Sequence, residues 1–360
     1  MLFDQLPIRQ VTLRNRIVVS PMCQYSSKDG FANDWHFVHL GSRAVGGAAL
    51  VFTEAAAVTP EGRISPYDLG IWKDEHMEFL SRITRFICEQ GALAGIQLAH
   101  AGRKASTPRP WDGVGTIPTS KGGWPAIGPS AIAFDEKHAA PREIEEREIP
   151  GIVKAFADAA CRAQRAGFQV LEIHAAHGYL IHEFLSPITN RRTDRYGGTL
   201  DNRARLLREI AIAVRRVWPE GSPIFVRISA SDYVDNGWDV EQSIELARQL
   251  KRLEIDVIDC SSGGLVPGGY APQRPGYQVP FASDIKRGAG IMTGAVGVIS
   301  EPGMADQIIS QGDADLVLMA REFLRHPYWP FHAARELGHR IPWPAQYVRA
   351  APQDTPIRGM

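Results

Sequence analysis

Short apolar runs rich in β-branched residues recur eight times along the chain, and segments with the period of a helix separate many of them. The runs are residues 16–20, 48–53, 94–99, 169–174, 223–229, 255–260, 290–293 and 315–320. Strands that alternate with helices pair in parallel, because each crossover returns the chain to the same edge of the sheet. Eight strand-helix units therefore predict an α/β fold, a closed (β/α)8 TIM barrel.

The helices between the strands show their period in the spacing of apolar residues. One predicted face comprises Leu207, Ile210, Ala211, Val214 and Val217, and a second comprises Val240, Ile244, Ala247 and Leu250. Asp239 stands just before the second face, where a carboxylate can accept from the free N–H groups of the first helical turn. We therefore predict that Asp239 caps this helix.

Three segments lie outside the repeating units of what we expect to be a single domain. Residues 1–15 precede the first strand and are expected to cover the bottom of the barrel. The third strand is followed by an extended loop, residues 99–148, which carries Trp111 and Trp124 among many Gly and Pro residues. Because this loop leaves the carboxyl end of a strand, we expect it to lie over the mouth as a partial lid, with a disordered insertion as the alternative. Residues 341–360 form a Pro-rich tail without helical period.

Composition excludes several kinds of partner. Lys and Arg together number 40, as do Asp and Glu, so no general charge attracts nucleic acid or an anionic membrane. Charges occupy the amino-terminal positions where a signal peptide has its apolar centre, and no run approaches the roughly 20 apolar residues of a membrane span. These features predict a cytoplasmic protein. The four cysteines, Cys23, Cys88, Cys161 and Cys260, are widely separated and indicate neither a disulfide framework nor a zinc site.

Three hydrogen-bonding side chains follow the fourth predicted strand within a few residues. His174 ends that strand, and His177 and Tyr179 come directly after it. In a barrel of this type, binding and catalytic groups collect at the carboxyl ends of the strands. The alternative is that the two histidines are core or loop residues whose imidazoles bond backbone carbonyls. The grouping of two imidazoles with a phenol favours a functional site.

The last two strands end in groups suited to an anion. Residues 293–297 form a Gly-rich turn after the seventh strand, and Arg321 follows the eighth. Backbone N–H groups and a guanidinium at this place commonly bind a phosphate. The alternative for Arg321 is an ordinary ion pair with a nearby carboxylate such as Glu322.

Motifs of several other chemistries are missing or incomplete. The sequence has no Gly-x-Ser-x-Gly elbow and no P-loop, and its nearest approach to a dinucleotide fingerprint, starting at Gly288, lacks the last glycine. Two His-x-x-His pairs, His36 with His39 and His174 with His177, raise the alternative of a metal-dependent hydrolase. We predict no metal site, because Glu54 is the only carboxylate placed as a third ligand. In addition, the first pair has apolar neighbours that suggest a packed helix: Trp35, Phe37, Val38 and Leu40.

Together these motifs resemble the Old Yellow Enzyme family of NADPH-dependent, FMN-containing ene-reductases, in its bacterial, thermophilic-like subclass. The resemblance extends over essentially the whole chain and rests on residues 20–25 (SPMCQY), 97–103 (QLAHAGR), 174–198 and 293–297 (TGAVG). It implies a barrel that holds FMN at its mouth and an enzyme that reduces the activated C=C bond of α,β-unsaturated carbonyl compounds. A flavin-binding barrel without turnover is the alternative.

The resemblance also implies a cofactor role for ten residues. Ser20, Pro21, Met22, Cys23 and Ala55 would line the flavin, Gln97 would bond its pyrimidine edge, Arg227 would face N1 and O2, and Gly297, Ala320 and Arg321 would hold the phosphate. A fixed cation near N1 stabilises the negative charge of reduced flavin. Cys23 would act as a polarizable thiol rather than a nucleophile.

The substrate roles implied by the resemblance fall on five residues. His174 and His177 would donate hydrogen bonds to the substrate carbonyl, Tyr179 would protonate the α carbon, and Tyr25 would help to seat the carbonyl. A plain wall residue is the alternative for Tyr25. Arg349 in the tail matches an arginine that reaches the neighbouring subunit's site, which implies a homodimer or homotetramer.

Two departures from the family pattern limit the resemblance. Ala320 stands where many members have Gly before the phosphate-binding Arg. The site can accommodate the one additional methyl group. The 105–130 insertion is longer than in the most compact members. The substrate range therefore cannot be transferred from the family.

Overall fold

Twelve strands and eleven helices form the fold within residues 1–268 and 271–358, which this computed structural model describes. The strands are β1 Leu6–Ile8, β2 Val11–Leu13, β3 Ile17–Val19, β4 Leu50–Ala57, β5 Leu93–Ala99, β6 Ile127–Gly128, β7 Arg142–Glu143, β8 Val170–Ala175, β9 Ile224–Ser229, β10 Val257–Ser261, β11 Met292–Ala295 and β12 Leu316–Met319. The helices are α1 Asp34–Val45, α2 Met77–Glu89, α3 Ile149–Arg165, α4 Leu180–Leu185, α5 Leu200–Arg203, α6 Arg205–Val217, α7 Val240–Arg252, α8 Val279–Ala289, α9 Pro302–Ser310, α10 Arg321–Arg325 and α11 Trp329–Glu336.

Eight parallel strands close into a barrel in the order β3, β4, β5, β8, β9, β10, β11, β12, and β12 pairs with β3. The predicted (β/α)8 barrel is therefore confirmed, and each of the eight predicted strands overlaps one barrel strand. Several boundaries differ by two to four residues. An irregularity in the pairing between Phe52 and Ala55 lets β4 continue to Ala57, so Ala55 lies inside the strand, and β11 begins at Met292 rather than at residue 290.

The inner wall of the barrel is apolar at the end where the strands begin. Val170, Phe225 and Val257, from three adjacent strands, belong to one buried cluster. Leu6 and Leu13 of the β1–β2 hairpin belong to the same cluster, so the hairpin packs against the amino-terminal end of the barrel. Polar side chains begin one layer further toward the carboxyl ends, which confines the site to the other half of the barrel.

The outer helices are anchored as their sequence period predicts. The side chain of Asp239 accepts a hydrogen bond from the backbone N–H of Gln242 at 2.8 Å and caps α7, as predicted. Leu207, Ile210 and Val214 of α6 are fully buried against the barrel. None of the described helices is long and apolar enough to cross a membrane.

The extended loop after β5 is folded over the mouth, as predicted. Its first and middle parts pack together, since Ala101, Ala105 and Ala126 form a small apolar cluster against which Trp124 and Tyr179 both pack. Trp111 approaches Tyr25 edge-on, with 5.8 Å between ring centroids. Through this cluster and through Trp111 the loop lies next to Tyr179 and Tyr25, which the sequence assigns to substrate, and its β6–β7 pair gives it a small sheet of its own.

The tail contains one feature that the sequence analysis missed. Residues Ala345–Ala350 form a 3-10 helix after Pro344, and the Tyr347 hydroxyl lies 3.2 Å from that of Tyr328. The short repeat of a 3-10 turn leaves no amphipathic pattern to detect. Arg349 is exposed on this turn.

Candidate active site

The two imidazoles and the phenol that follow β8 meet at the barrel mouth. The ring centroids of His174 and His177 lie 5.2 Å apart, and those of His174 and Tyr179 lie 5.0 Å apart, each pair close to perpendicular. His177 has a φ of 59°, a left-handed conformation that is uncommon outside glycine and that turns the chain back over the strand end. The three side chains therefore surround one space.

Hydrogen bonds fix how the imidazoles present their nitrogens. The Nδ1 of His174 accepts from the backbone N–H of Ala176 at 3.2 Å, which leaves the ring proton on Nε2. The Nε2 of His177 lies 2.6 Å from the Ser261 hydroxyl. Neither ring donates to a backbone carbonyl within the described residues, so the alternative interpretation as carbonyl-satisfied core histidines is wrong.

The electrostatics keep both imidazoles uncharged. Burial lowers the pKa of His174 and of His177 well below the ordinary value, and the positive charge of Arg227 lowers it further. Near neutral pH each ring is therefore a neutral hydrogen-bond donor. Such donors bind a carbonyl oxygen and stabilise negative charge that develops on it.

Tyr179 keeps its proton and lies beside a lysine that sequence reasoning missed. Burial raises the pKa of the Tyr179 phenol well above its ordinary value. The Nζ of Lys104 lies 5.3 Å from the centroid of the Tyr179 ring and donates to the His177 carbonyl at 2.8 Å. Burial lowers the pKa of Lys104 to about 8, and the neighbouring Arg103 contributes. Lys104 directly follows the 97–103 motif, and this position could have identified it as a site residue.

The residues predicted to line the flavin form a continuous surface beside this space. Ser20 follows β3, and its hydroxyl accepts from Nη1 of Arg227 at 2.8 Å. Ala55 of β4 is the register partner of Gln97 on β5. The Nε2 of Gln97 donates to Glu172 at 2.8 Å, which turns its carbonyl oxygen away from that carboxyl. The structure therefore joins Ser20 to Arg227 and places Ala55 beside Gln97, and the contact of these residues with a flavin stays a prediction.

The loop from Pro21 to Tyr25 continues this surface. Burial raises the pKa of the Cys23 thiol well above its usual value, and the carboxyls of Asp68 and Glu54 raise it further. Cys23 is therefore a thiol near neutral pH and is unsuited to nucleophilic attack. Tyr25 has a φ of 51°, and burial raises its pKa as well.

A buried hydrogen bond between side chains supports this loop from behind. The Nε2 of His36 on α1 lies 3.1 Å from Glu54 Oε1, while Glu54 Oε2 accepts from the backbone N–H of Gln24 at 3.1 Å. The expected packing of apolar neighbours is wrong for Trp35 and Val38, which are 59% and 66% exposed. Because His36 is fixed on Glu54, the polar face of α1 points inward. No group of three or more His, Cys, Asp and Glu side chains suited to a metal occurs among the described residues.

A cavity of about 420 Å³ lies beyond the ends of β11 and β12. Its wall includes Arg227 at one side and Gly297, Ala320 and Arg321 at the other. Gly297 has a φ of 122°, and a Cβ there would lie 2.8 Å from the Gln278 amide, so only glycine fits. The three residues assigned to a phosphate therefore share one cavity.

Arg321 does not form the ion pair that was its alternative. Glu322 instead pairs with Arg325, with 2.6 Å between the guanidinium and the carboxylate. Arg325 lies four residues after Arg321 and also lines the cavity, a second cation that the sequence analysis missed. Four-residue spacing places both side chains on one face of α10, and this spacing could have predicted the second cation.

Comparison with known families identifies the protein family that has this cavity and these paired imidazoles. Residues 1–339 match the model of the NADH:flavin oxidoreductase / NADH oxidase family, which covers nearly the entire chain. The chain belongs to the NADH:flavin oxidoreductase / NADH oxidase family. The predicted fold, the predicted enzyme class and the recognition of an Old Yellow Enzyme relative are thereby confirmed.

Curated relatives are similar over almost their full length. An NADPH dehydrogenase of Bacillus subtilis is 50% identical over 350 residues, which cover 97% of this chain and 98% of the relative. An NADPH dehydrogenase of Geobacillus thermodenitrificans is 49% identical over 351 residues, with the same coverage.

Solved structures of more distant members share the fold. Morphinone reductase in complex with tetrahydroNAD is 27% identical, has a TM-score of 0.77, and is matched over 95% of this chain and 92% of its own. The Old Yellow Enzyme homologue from Zymomonas mobilis is 26% identical, also with a TM-score of 0.77, over 93% and 92% of the two chains.

The site of this flavin oxidoreductase fits FMN, its cofactor. One cavity connects a buried guanidinium, Arg227, with a second guanidinium, Arg321, beside a glycine that leaves backbone N–H groups accessible. A phosphate at Arg321 and a ring near Arg227 match that arrangement of charge. Gln97, Ala55 and the loop from Ser20 to Cys23 would complete the wall against the ring.

Replacing Arg321 by alanine is expected to weaken FMN binding by about 1.5–3 kcal/mol, because a charge-assisted contact to the phosphate is lost. Equilibrium dialysis of the flavin measures the effect directly. Arg287→Ala on α8 removes a guanidinium that is 70% exposed and serves as the matched control. Equal retention by both variants would place the phosphate elsewhere.

Proposed function

We propose that this protein is an NADPH-dependent ene-reductase that reduces the activated C=C bond of α,β-unsaturated carbonyl compounds. The observation that carries the proposal is the pair of neutral imidazoles, His174 and His177, held 5.2 Å apart at the mouth next to Tyr179. A site with two neutral donors and a protonated phenol suits a carbonyl oxygen that gains negative charge and a carbon that must be protonated. The names of the curated relatives support NADPH as the reductant.

Bound FMN would supply the hydride chemistry that links oxidation of NADPH to reduction of the substrate. The chain's own residues prepare the substrate for this. His174 donates from Nε2 to the carbonyl oxygen, since its Nδ1 is occupied by the Ala176 N–H. His177 donates from its other nitrogen, Nδ1, because Ser261 occupies Nε2. Both bonds draw electron density toward the oxygen and make the β carbon electrophilic.

Tyr179 supplies the proton for the α carbon. Its raised pKa keeps the hydroxyl protonated near neutral pH, and its ring lies edge-on to His174 on the side of the mouth. Tyr25 and the Trp111 ring that meets it edge-on would shield the substrate from water. Cys23 stays protonated and takes no part in covalent chemistry.

The test uses the purified holoprotein under anaerobic conditions. NADPH should bleach the flavin absorbance, and 2-cyclohexenone should restore it with formation of cyclohexanone. The allylic alcohol 2-cyclohexen-1-ol as product would contradict C=C reduction, because in it the carbonyl is reduced and the C=C bond is intact. Bleaching that no enone reverses would favour a flavoprotein with another electron acceptor.

We further propose that Arg349 completes the substrate site of a neighbouring subunit in a homodimer or homotetramer. In its own chain Arg349 is exposed on the tail, and no described hydrogen bond or ion pair joins it to His174, His177 or Tyr25. An exposed guanidinium next to the exposed apolar side chains of Tyr347 and Val348 suits a subunit contact.

Arg349→Ala is expected to raise the KM for the enone severalfold while NADPH still bleaches the flavin at the wild-type rate, since the proposed contact is to substrate alone. Arg340→Ala changes an exposed arginine before the tail turn and should have no effect. Light scattering of the wild type should report at least a dimer. A monomer that keeps full activity after truncation at Pro344 would contradict the proposal.

A further inference from the structure

Three ionisable groups form a buried layer inside the barrel beneath the histidine pair. Glu172 of β8 and Asp259 of β10 are 0% exposed, and Arg227 of β9 lies between them at 6%. Strand register sets this layer, since Gln97 is the partner of Glu172 and Arg227 is the partner of Asp259. The layer contains one positive group and two carboxyls.

The contacts of the two carboxyls are unequal. The Nε of Arg227 lies 3.2 Å from Asp259 Oδ2, whereas Glu172 receives a hydrogen bond only from the neutral amide of Gln97 at 2.8 Å. Oε2 of Glu172 and both oxygens of Asp259 have no hydrogen-bond partner in the described part of the chain, so the contact of Asp259 with Arg227 is an ion pair without a well-aligned hydrogen bond. Arg227 favours the charged form of both carboxyls, but only Asp259 is in direct ion-pair contact with it, and the one hydrogen bond to Glu172 comes from a neutral amide.

Charge balance then decides the protonation state. A buried carboxylate without a cation costs several kcal/mol, and two carboxylates next to one guanidinium leave one charge uncompensated. Burial raises the pKa of both carboxyls, and the negative charge of Asp259 raises that of Glu172 further. A single proton on the pair makes the layer neutral and lets the unpaired oxygen of Glu172 act as a donor.

The rest of the barrel interior adds no charge at this level. Phe52 and Leu318 belong to the apolar cluster at the start of the barrel strands. Gly294 has no side chain, and a Cβ there would lie near Leu318 and Asp259. Ser20 contributes a hydroxyl that accepts from Arg227, and His174 above the layer is neutral. The charge of this layer is therefore set by these three groups.

We propose that Glu172 is a positioning residue that works as a protonated acid: it holds the Gln97 amide and leaves Arg227 compensated by Asp259 alone. The proposal rests on the placement of FMN beside Arg227 given above. Two negative charges beneath the ring would oppose its reduction, while one keeps the layer neutral. Glu172 therefore contributes to the reduction potential by carrying no charge.

Glutamine is the matched replacement, because its carbonyl accepts from Gln97 and its N–H₂ donates as a protonated acid does. In holoenzyme labelled with ¹³C at the glutamate carboxyls, the Glu172 resonance is identified as the one that the Glu172→Gln spectrum lacks. In the wild type this resonance should have the upfield chemical shift of a protonated acid at every pH near neutrality. Glu183→Gln is the control, since burial raises the pKa of that separate carboxyl to about 8 and its resonance should also lie upfield near neutral pH. A Glu172 resonance at the carboxylate position overturns the proposal. This readout requires no turnover and is independent of the substrate reaction.

The flavin midpoint potential tests the link to the cofactor. Glu172→Gln should leave it unchanged, because neither the charge nor the bond to Gln97 changes. The double variant Glu172→Gln with Asp259→Asn should raise it, because Arg227 is then uncompensated. A rise in the single variant would show that Glu172 is ionised, and a double variant with the wild-type potential would show that the layer does not act on the ring. If the double variant fails to fold, the resonance and potential of Glu172→Gln decide the question.

Discussion

Replacing both His174 and His177 by alanine is expected to remove nearly all enone-dependent reoxidation of the flavin. Each imidazole would donate one hydrogen bond to the substrate carbonyl, and loss of one oxyanion-type donor typically costs about 2.7–4 kcal/mol in the transition state. The two losses act on the same oxygen and are not additive, so we expect a decrease of at least about 100-fold. NADPH-dependent bleaching should change far less, because it does not need the carbonyl to be polarised.

Stopped-flow absorbance separates the two half-reactions in each variant. His326→Ala removes a histidine that is largely exposed on the outer surface and controls for general effects of the substitution. Titration of the oxidised holoenzyme with a phenol should also show weaker binding in the double variant. Reoxidation by enones at the wild-type rate would eliminate the proposed role of the two histidines.

The barrel could be predicted because its signal is repeated. Eight apolar runs of the right length, separated by helical segments, allow one closed architecture, and an error of two residues at β11 does not alter it. The mouth residues followed from the same rule, since the carboxyl ends of parallel strands meet on one face. His174, Arg227 and Arg321 could therefore be assigned to one surface from the order of the strands alone.

Contacts made across the barrel could not be predicted in the same way. Strands buried on both faces are apolar almost throughout, so the alternation that reveals which side chains point inward is missing. Glu172 could not be assigned to the interior for that reason. The buried face of α1 could not be predicted from its apolar residues, because that face carries His36. Trp35 faces outward because Glu54 fixes the histidine.

Ser261 and Lys104 illustrate a second limit. Each acts through His177, whose left-handed backbone turns its carbonyl toward Lys104 and its ring toward Ser261. A turn of this kind depends on the close packing of Gly178 against the backbone of Gly264 and Leu265, where a Cβ on Gly178 would lie 2.4 Å from the Gly264 carbonyl oxygen. Contacts between distant loops decide the conformation, and a local motif carries no record of them.

Tyr179→Phe is expected to lower enone turnover by about 100-fold to 10,000-fold, the range typical of a lost general acid. The substitution keeps the ring, so its edge contact with His174 and the position of Lys104 above it remain. Because both imidazoles are unchanged, a phenol should bind the oxidised variant as tightly as the wild type. The predicted result is loss of turnover without loss of carbonyl binding, whereas the double histidine variant should lose both.

The pH dependence gives this prediction a second readout. Burial raises the pKa of Tyr179, so its hydroxyl stays protonated across neutral pH, and the wild-type rate of flavin reoxidation should not fall as pH rises through that range. In Tyr179→Phe the residual rate should instead fall with rising pH, because the proton must then come from solvent or from another acid such as Lys104, whose pKa is about 8. Reoxidation that is unimpaired in Tyr179→Phe at every pH would assign the proton to one of these sources in the wild type as well.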